Sequence, residues 1–398
     1  MKKFLAVIMC LVMLFSLASC KDGDTESNKP ADFGTYGSDF ARKLAKDYPY
    51  RKAYSEDEKS AGKMIKKEFE KLGYKVKEQT FTNGSNTSAN YIIHIEGNGF
   101  IEVGKDGKKT KEIRKKAVIG AHYDSKYSSY ELPEDSTFDG ISDNASGIGC
   151  LVTIAKEIKN YKDIGFDIDI VAFGAGEDNF AGSRYYFESL SADEAEEIEV
   201  MYCIDSIYAG DKVYANAGMN SLNLDQKYKM RRKLFQTYDV AYDDMLASLN
   251  GFALLYNESN IVTDLNGDEI PDAYREVSLH KSDYSVFDEH NIPIVFFDSG
   301  NYFFDSLDKM KETKNLNLQE FNGIISGTPL DSTVVLDEVQ VTEDKDLLEI
   351  RINNVSYCIM GSIMKGSDYG MTQKEYEESL TKITEETVET TKSTSSQK

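Results

Sequence analysis

The sequence is short of positive charge and of proline, and each shortage excludes a class of protein. The chain has 46 lysine and arginine residues against 68 aspartate and glutamate residues, which gives a net charge of −22. A surface this acidic repels the phosphates of nucleic acid, and no stretch of the sequence forms a basic stripe. The 6 prolines and 28 glycines follow no period and 40% of the residues are hydrophobic, which excludes fibrous and disordered proteins. We therefore expect a folded protein with no nucleic-acid partner.

Cysteine is also scarce, with five residues in a chain of 398. Cys10 and Cys20 lie in the first twenty residues, and the other three, at positions 150, 203 and 358, stand in apolar surroundings. No disulfide framework is visible, and a chain of this length buries enough apolar surface to fold without one. We expect Cys150 and Cys203 to be small buried hydrophobic residues.

The apolar run at the N-terminus, from Phe4 to Leu17, is shorter than the roughly 20 residues that span a membrane. It follows Lys2 and Lys3 and ends in small residues, a pattern typical of a secretory signal. The residues 17–20, Leu-Ala-Ser-Cys, resemble the bacterial lipobox, after which Cys20 is lipidated and becomes the new N-terminus. The alternative is an uncleaved N-terminal helical anchor. We expect an extracytoplasmic protein that is attached to the bacterial cell membrane by the lipid on Cys20.

Composition divides the chain into four segments. Residues 1–19 form the signal peptide, and residues 20–35 form a polar, flexible tether between the lipid and the folded part. Residues 36–370 carry alternating helical and extended patterns and are expected to form the folded domain. Residues 371–398 are rich in threonine, glutamate and lysine, and we expect a disordered tail, with at most a frayed helix from Tyr376 to Val388.

Short apolar runs alternate with helical patterns inside the domain. Four of these runs are typical of buried strands, and they cover residues 117–121, 166–173, 197–204 and 292–297. The stretch from Gly147 to Ile158 has the composition of a largely apolar helix. Strands that alternate with helices predict an α/β fold with a mostly parallel sheet.

Polar residues that can bind a metal follow three of these strands. His122, Asp205 and the pair Glu177–Asp178 lie at or just beyond strand ends, the edge where open α/β sheets bind ligands. A neutral imidazole is a good zinc ligand, and Asp124 stands two residues on, where it can accept the other ring N–H. The adjacent carboxylates of Glu177 and Asp178 repel each other, so a cation would stabilise them. The alternatives are a hydrogen-bonded loop histidine and a solvated acidic loop.

A dense polar run, from Asp139 to Gly147, opens the apolar helix. One interpretation is a helix N-cap, since aspartate, asparagine and serine all cap helices well. A cap explains one acidic residue but not a whole polar run before so apolar a helix. Asp143 is therefore a further candidate ligand.

In this order and spacing, the motifs resemble those of the co-catalytic zinc aminopeptidases of peptidase clan MH, a family that also contains the glutaminyl cyclases. The matching positions are His122 with Asp124, Asp143 with Asn144, Glu177 with Asp178, residues 182–186 (Gly-Ser-Arg-Tyr-Tyr), Asp205, and Ser282–Asp283 before Ile292–Pro293. The resemblance covers roughly residues 36–370. It implies a three-layer fold, with a mixed, mostly parallel sheet between helices, and zinc-dependent removal of N-terminal residues from peptides.

The resemblance also implies one or two zinc ions and a role for each residue. The implied zinc ligands are His122, Asp143, Asp178 and Asp205. Asp143 would bridge the two ions, and Asp178 would belong to the second site. Glu177 would act as the general base, and Asp124 would orient His122.

One position departs from the family pattern. The last ligand of the family is a histidine in a loop that matches residues 326–332 here, and Gly327 stands in its place. Glycine has no side chain to bind a metal, so other donors for the second site would be His280, Asp298 or Asp305. The glutaminyl cyclases need that histidine, which argues against cyclase activity. A catalytically weakened or non-catalytic peptide-binding lipoprotein of the same fold is the other alternative.

A second candidate ion site lies further along the chain. Its oxygen donors are Asp264, Asn266, Asp268 and Asp272, at positions 1, 3, 5 and 9 of a calcium-type loop. The twelfth position of such a loop is normally a carboxylate, but here it is Arg275. The alternative to a bound calcium ion is a polar surface turn.

Overall fold

The fold is seen in a computed structural model that describes residues 29–127, 136–222, 227–258, 262–264, 269, 271–303 and 309–382. The expected signal peptide, the lipidation site Cys20 and residues 383–398 lie outside the described residues, so the expectations about them stay predictions. None of the helices in the described ranges is long and apolar enough to cross a membrane.

Strands of four to ten residues and several two-residue strands make up the β-structure. The strands are β1 (Val76–Asn83), β2 (Asn86–Ile95), β3 (Phe100–Val103), β4 (Lys109–Ile113), β5 (Lys116–His122), β6 (Asp167–Phe173), β7 (Ile198–Ile204), β8 (Lys212–Asn216), β9 (Leu254–Leu255), β10 (Val262–Thr263), β11 (Asp272–Ala273), β12 (Ile294–Gly300), β13 (Val341–Thr342) and β14 (Lys345–Asp346). Eight of them form the central sheet, in the order β1-β2-β6-β5-β7-β12-β8-β9. Four of its seven neighbouring pairs are parallel, including the central run β6-β5-β7-β12.

Helices cover both faces of this sheet. They are α1 (Tyr36–Asp47), α2 (Glu56–Lys71), α3 (Ser146–Glu157), α4 (Ala181–Glu188), α5 (Ala192–Glu197), α6 (Lys227–Asp243), α7 (Leu246–Leu249), α8 (Ser285–Glu289), α9 (Thr333–Gln340) and α10 (Leu347–Met364). A larger core joins one face of the sheet to α1, α2, α3, α6 and α10, and a smaller core joins the other face to α4 and α8. The predicted α/β fold of three layers, with a mixed and mostly parallel sheet, is confirmed.

Strand β5 shows how the sequence produces the two cores. Ile119 packs into the larger core and its neighbour Val118 packs into the smaller one, because successive side chains of a strand point to opposite faces. Both are fully buried, as is every residue of β5. A strand that is buried on both faces therefore reads as a continuous apolar run and not as an alternation. The buried and unpaired Cys150 and Cys203 match their predicted burial.

The segment that follows residue 370 is described as far as residue 382. Met371 pairs with Ile101 by two backbone hydrogen bonds, and residues 373–382 are helical. Thr372 begins that helix, since its hydroxyl accepts a hydrogen bond from Glu375 N while the Glu375 carboxylate accepts one from Thr372 N. This capping box and the backbone pairing order the segment despite its polar composition, so the folded part extends to residue 382.

Candidate active site

Three of the predicted ligands meet at the carboxyl edge of the sheet. His122 ends β5, Asp205 follows β7, and Asp143 lies in the single turn Ile141–Ala145 that precedes α3. His122 Nε2 is 3.3 Å from Asp143 Oδ1 and 3.5 Å from Asp205 Oδ1. One ligand atom from each residue lies within 4.8 Å of the other two. One imidazole and two carboxylates in this arrangement match the ligands that zinc takes in proteins.

Asp124 holds both His122 and the loop that carries Glu177. Asp124 Oδ1 is 3.3 Å from His122 Nδ1, a position in which it can accept the Nδ1–H of the neutral ring and leave Nε2 to bind a metal. The same carboxylate accepts hydrogen bonds from Gly176 N at 2.8 Å and from Glu177 N at 3.0 Å. A Cβ atom at position 176 would lie 2.3 Å from His122 Cβ, so only glycine permits this close approach. The expected orienting role of Asp124 is therefore compatible with its contacts.

A buried arginine joins the two loops that carry His122 and Asp143. The Arg51 guanidinium is fully buried and donates to Tyr123 O at 2.7 Å, Asp139 O at 2.7 Å and Gly140 O. Sequence reasoning did not find Arg51, since nothing in the pattern around it differs from a surface loop.

Two further side chains fix the position of Asp143 in the fold. The Asp331 carboxylate accepts hydrogen bonds from Ser142 N at 2.8 Å and from Asp143 N at 3.1 Å. Asn144 donates from Nδ2 to Ile204 O at 2.8 Å and so ties this turn to the end of β7. Asp331 lies in the same loop as Gly327, the position at which the family has a histidine.

Two serines hold the third ligand. The hydroxyl of Ser206 donates to Asp205 Oδ1 at 2.9 Å, and the hydroxyl of Ser282 donates to Asp205 Oδ2 at 2.7 Å. Ser282 comes from the Ser-Asp motif before the Ile-Pro strand, so that motif contributes to the site through Asp205. The fixed carboxylate keeps one oxygen close to His122 Nε2.

The structure does not bring Asp178 into this cluster, which corrects its implied place among the metal ligands. Asp178 is exposed, and its Oδ2 accepts hydrogen bonds from Tyr54 OH at 2.6 Å and Asn83 Nδ2 at 2.8 Å. It lines a separate cavity beside β1. The chain turns sharply here, with Asn179 in a left-handed conformation (φ 54°), and the side chains of Glu177 and Asp178 diverge. Among the described residues, three could hold a metal ion together: His122, Asp143 and Asp205.

Glu177 lies with the three ligands in a cavity of about 500 Å³ at the edge of the sheet. Burial is the main cause that raises the pKa of the Glu177 carboxyl to about 8, and the negative charge of Asp143 is the next largest contribution. The Lys126 ammonium lies 3.4 Å from Glu177 Oε2 at the rim of the cavity. A carboxylate that stands beside a cation site without belonging to it can accept a proton there.

The loop that lacks the family's histidine also borders this cavity. Ser326 lines the cavity, while Gly327 adopts a left-handed conformation (φ 73°) that glycine favours. The carboxylate of Glu312 accepts hydrogen bonds from Ile325 N at 2.6 Å and Ser326 N at 2.9 Å, and it also lines the cavity. Glu312 was not anticipated, because it lies in a segment with no helical or strand pattern. Asp305 lies outside the described residues.

The electrostatics of the three-residue cluster fit a bound cation. Asp143 Oδ1 is buried and accepts no hydrogen bond from the described residues. Burial lowers the pKa of His122, but the carboxylates of Asp205, Asp124 and Asp143 outweigh it and raise that pKa above its usual value. Acidic groups packed this closely need a positive charge between them, and a divalent metal supplies it.

The predicted calcium loop is covered only in part. Asp264 Oδ2 accepts a hydrogen bond from Glu269 N at 2.9 Å, and β10 pairs with β11 on either side of the loop. Asn266 and Asp268 lie outside the described residues, and only the backbone of Asp272 is described. Calcium binding at this loop therefore stays a prediction.

With this geometry in place, comparisons with known proteins identify the family. The chain matches the family model of Peptidase family M28 over residues 103–328, which is more than half of its length. It therefore belongs to peptidase family M28, and the predicted family resemblance is confirmed. In sequence, it is 25% identical over 222 residues to the alkaline phosphatase isozyme conversion protein of Escherichia coli. That match covers 52% of this chain and 60% of the relative.

The fold is shared with solved structures at low sequence identity. A zinc aminopeptidase from Bacillus subtilis superposes with a TM-score of 0.54 at 13% identity, covering 87% of this chain and 98% of that one. A glutaminyl cyclase from an Acidobacteriales bacterium gives a TM-score of 0.55 at 16% identity, covering 87% of this chain and 100% of that one. The two similarities are of equal strength, so the likeness shows the fold and does not separate the two activities.

Proposed function

We propose that this chain is a zinc-dependent aminopeptidase, which hydrolyses the first peptide bond of peptides. The observation that carries the proposal is the convergence of His122, Asp143 and Asp205 beside Glu177 in one cavity. Family membership supports peptide hydrolysis, and the ligand set supports zinc. Because the three ligands form a single cluster, we propose that they bind one zinc ion tightly.

The chemistry divides between the ion and the side chains. Zinc, when bound by His122, Asp143 and Asp205, polarises the scissile carbonyl and increases the acidity of water. Glu177 Oε accepts a proton from the attacking water and returns it to the nitrogen of the leaving amine. Asp124 keeps both partners aligned, because its carboxylate holds the His122 ring and the backbone of Glu177.

The charge of the cavity supports an exopeptidase that recognises a free N-terminus. Five carboxylates line it, against two lysines: Asp143, Glu177, Asp205, Asp298 and Glu312, against Lys126 and Lys281. A divalent ion and the two lysines still leave one net negative charge if all these groups are ionised. An α-ammonium group is attracted to such a cavity, whereas the uncharged interior of a longer peptide is not.

The experiment uses chain lacking the signal peptide, loaded with one equivalent of zinc. We expect it to release 4-nitroaniline from aminoacyl-4-nitroanilides and to lose that activity with a chelator. Glu177→Gln should lower kcat by about 10²–10⁴-fold, the range for loss of a general base, while zinc stays bound. Glu188→Gln is the control, because Glu188 is an exposed carboxylate on α4 that does not line this cavity.

Three outcomes would contradict the proposal. Wild-type activity in Glu177→Gln would remove the base from the mechanism. Cyclisation of N-terminal glutamine peptides, with no amino acid released, would indicate a glutaminyl cyclase. Peptide binding without any turnover in zinc-loaded protein would indicate the non-catalytic lipoprotein.

We also propose that the lipid on Cys20 holds the enzyme outside the cytoplasm, on the bacterial membrane. The proposal rests on the signal pattern of residues 1–20 and the polar tether that follows it. Metabolic labelling with a fatty-acid analogue tests it, with Cys20→Ala as the control. An unlabelled wild-type chain in the soluble fraction would contradict it.

A further inference from the structure

Two of the cavity's carboxylates have no part in the metal cluster or the proton transfer. These are Asp298 on β12 and Glu312 in the following loop. Both lie outside the group of His122, Asp143 and Asp205 that could hold a metal ion. Glu312 has a structural role, because its oxygens accept the N–H groups of Ile325 and Ser326. Asp298 has no comparable role.

The backbone places Asp298 directly beside the metal cluster. Strands β7 and β12 are parallel and paired, with Phe297 opposite Ile204, and Asp205 N donates to Phe297 O at 2.9 Å. Asp298 and Asp205 are therefore lateral neighbours on adjacent strands, and their side chains point to the same face. The Asp298 side chain borders the part of the cavity next to the ligands.

Asp298 is only 3% exposed, and one of its oxygens is not satisfied. Its Oδ2 accepts a hydrogen bond from the hydroxyl of Tyr302, while its Oδ1 has no hydrogen-bond partner in the part of the chain that the structure describes. The Tyr302 ring is fixed in turn against Tyr214, with ring centroids 4.3 Å apart. The free oxygen therefore belongs to a rigidly held carboxylate.

A buried carboxylate without a counter-charge is unfavourable. Burial is the main cause that raises the pKa of the Asp298 carboxyl to about 8. The hydrogen bond from Tyr302 opposes this shift, and the charges of Asp205 and Glu312 contribute to it. An added cation at Oδ1 would remove this penalty, since opposite charge favours the ionised form. The free oxygen therefore marks a position for a cation or a strong hydrogen-bond donor.

The rest of the cavity wall offers little to an apolar side chain. Among the described residues that line it, only Phe180 and Phe296 carry large apolar side chains. Binding sites for apolar side chains are lined mainly by hydrophobic residues, whereas this cavity is lined mainly by polar and charged residues. A long side chain with an apolar stem and a charged end can lie along a phenylalanine and reach a carboxylate.

We propose that Asp298 is a specificity-determining residue that binds the cationic end of an N-terminal lysine or arginine side chain. This inference rests on the proposed aminopeptidase function and names its substrate class. The α-ammonium group and the side-chain cation of such a substrate would both meet the negative charge of the cavity. Peptides that begin with a basic residue are therefore the preferred substrates.

The test compares two substrates that differ only at the charged group. Lysyl-4-nitroanilide and norleucyl-4-nitroanilide have the same four-carbon stem, and only the first carries a side-chain ammonium. We expect zinc-loaded wild-type protein to prefer the lysyl substrate in kcat/KM by at least about 10-fold, as for a hydrogen bond between charged groups. Asp298→Asn should lower the lysyl-to-norleucyl ratio by a similar factor. Asp288→Asn is the control, since Asp288 is a partly buried carboxylate that does not line this cavity.

Each other result overturns the inference in a recognisable way. A parallel loss of both activities in Asp298→Asn would show that Asp298 binds the α-ammonium group that all substrates share. A lower zinc content of Asp298→Asn, measured by atomic emission, would show that Asp298 is a metal ligand. Equal hydrolysis of the two substrates by the wild type overturns the inference alone, whereas hydrolysis of neither overturns the proposed function.

Discussion

Replacement of Arg51 by methionine tests whether the metal ligands are held by long-range contacts. Methionine keeps the apolar stem and removes the guanidinium. The buried carbonyl oxygens of Tyr123, Asp139 and Gly140 would then lose their donor. These carbonyls belong to the loops that carry His122 and Asp143, so the loss acts on both ligands.

The expected loss of stability follows from the three hydrogen bonds that the Arg51 guanidinium donates. A buried acceptor that loses its partner costs about 1–3 kcal/mol, and removal of a buried charged donor costs about 3–5 kcal/mol in all. We expect Arg51→Met to lower the free energy of unfolding by about 3–5 kcal/mol. Domains are stable by about 5–15 kcal/mol, so the variant is expected to fold. Zinc affinity should fall by about 10–100-fold, as when other groups that orient ligands are removed.

Two measurements check this expectation. Urea unfolding gives the loss of stability, and competition with a chromophoric chelator gives the zinc affinity. Arg231→Met is a matched control, because Arg231 is equally buried and donates to Arg275 O and to Ser221 Oγ, away from the cluster. The control should lose stability and keep its zinc affinity. If Arg51→Met loses as much stability as Arg231→Met but binds zinc as tightly as the wild type, Arg51 does not position the metal ligands.

The remaining predictions concern the immediate surroundings of the metal. Asp178→Ala should keep its zinc, since Asp178 faces Tyr54 and a separate cavity, whereas Asp205→Ala should lose its zinc. Atomic emission on dialysed protein measures the zinc content of both variants. Loss of zinc from Asp178→Ala would show that Asp178 is a ligand. Gly176→Ala should lower activity by about 10-fold or more, because the added methyl group would meet His122, and unchanged kcat/KM would show that the loop can shift instead.

The sequence predicted those parts of the site that depend on local pattern. The strands β5, β6 and β7 are mainly apolar because they are buried on both faces, and polar residues mark or follow their ends: His122, Glu177 and Asp205. Parallel strands bring their carboxyl ends to one edge of a sheet, so the convergence followed from the strand order. The motif before α3 supplied Asp143 by its polarity alone.

The parts that were missed depend on three-dimensional contacts. The outward direction of Asp178 follows from a left-handed turn at Asn179 and from hydrogen bonds to Tyr54 and Asn83, both remote in sequence. Tyr302 holds only the Oδ2 of Asp298, and the Oδ1 has no hydrogen-bond partner among the described residues. No spacing rule reports either arrangement.

Several of these long-range contacts come from outside residues 103–328, the segment that matches the family model, so this segment alone does not contain the whole site. Residues 103–328 contain the three candidate metal ligands and Glu177, but they lack Arg51, which joins the loops of His122 and Asp143, and Asp331, which holds the backbone of Asp143. They also lack β2, which pairs with β6, and α10, which packs on α3.

We therefore expect a fragment of residues 103–328 to show no cooperative unfolding transition and to bind zinc at least about 100-fold more weakly than residues 29–382, since two sets of ligand-orienting contacts are absent at once. Circular dichroism during urea titration and chelator competition measure the two quantities. A fragment that unfolds cooperatively and binds zinc with the affinity of the longer chain would show that Arg51 and Asp331 do not position the ligands.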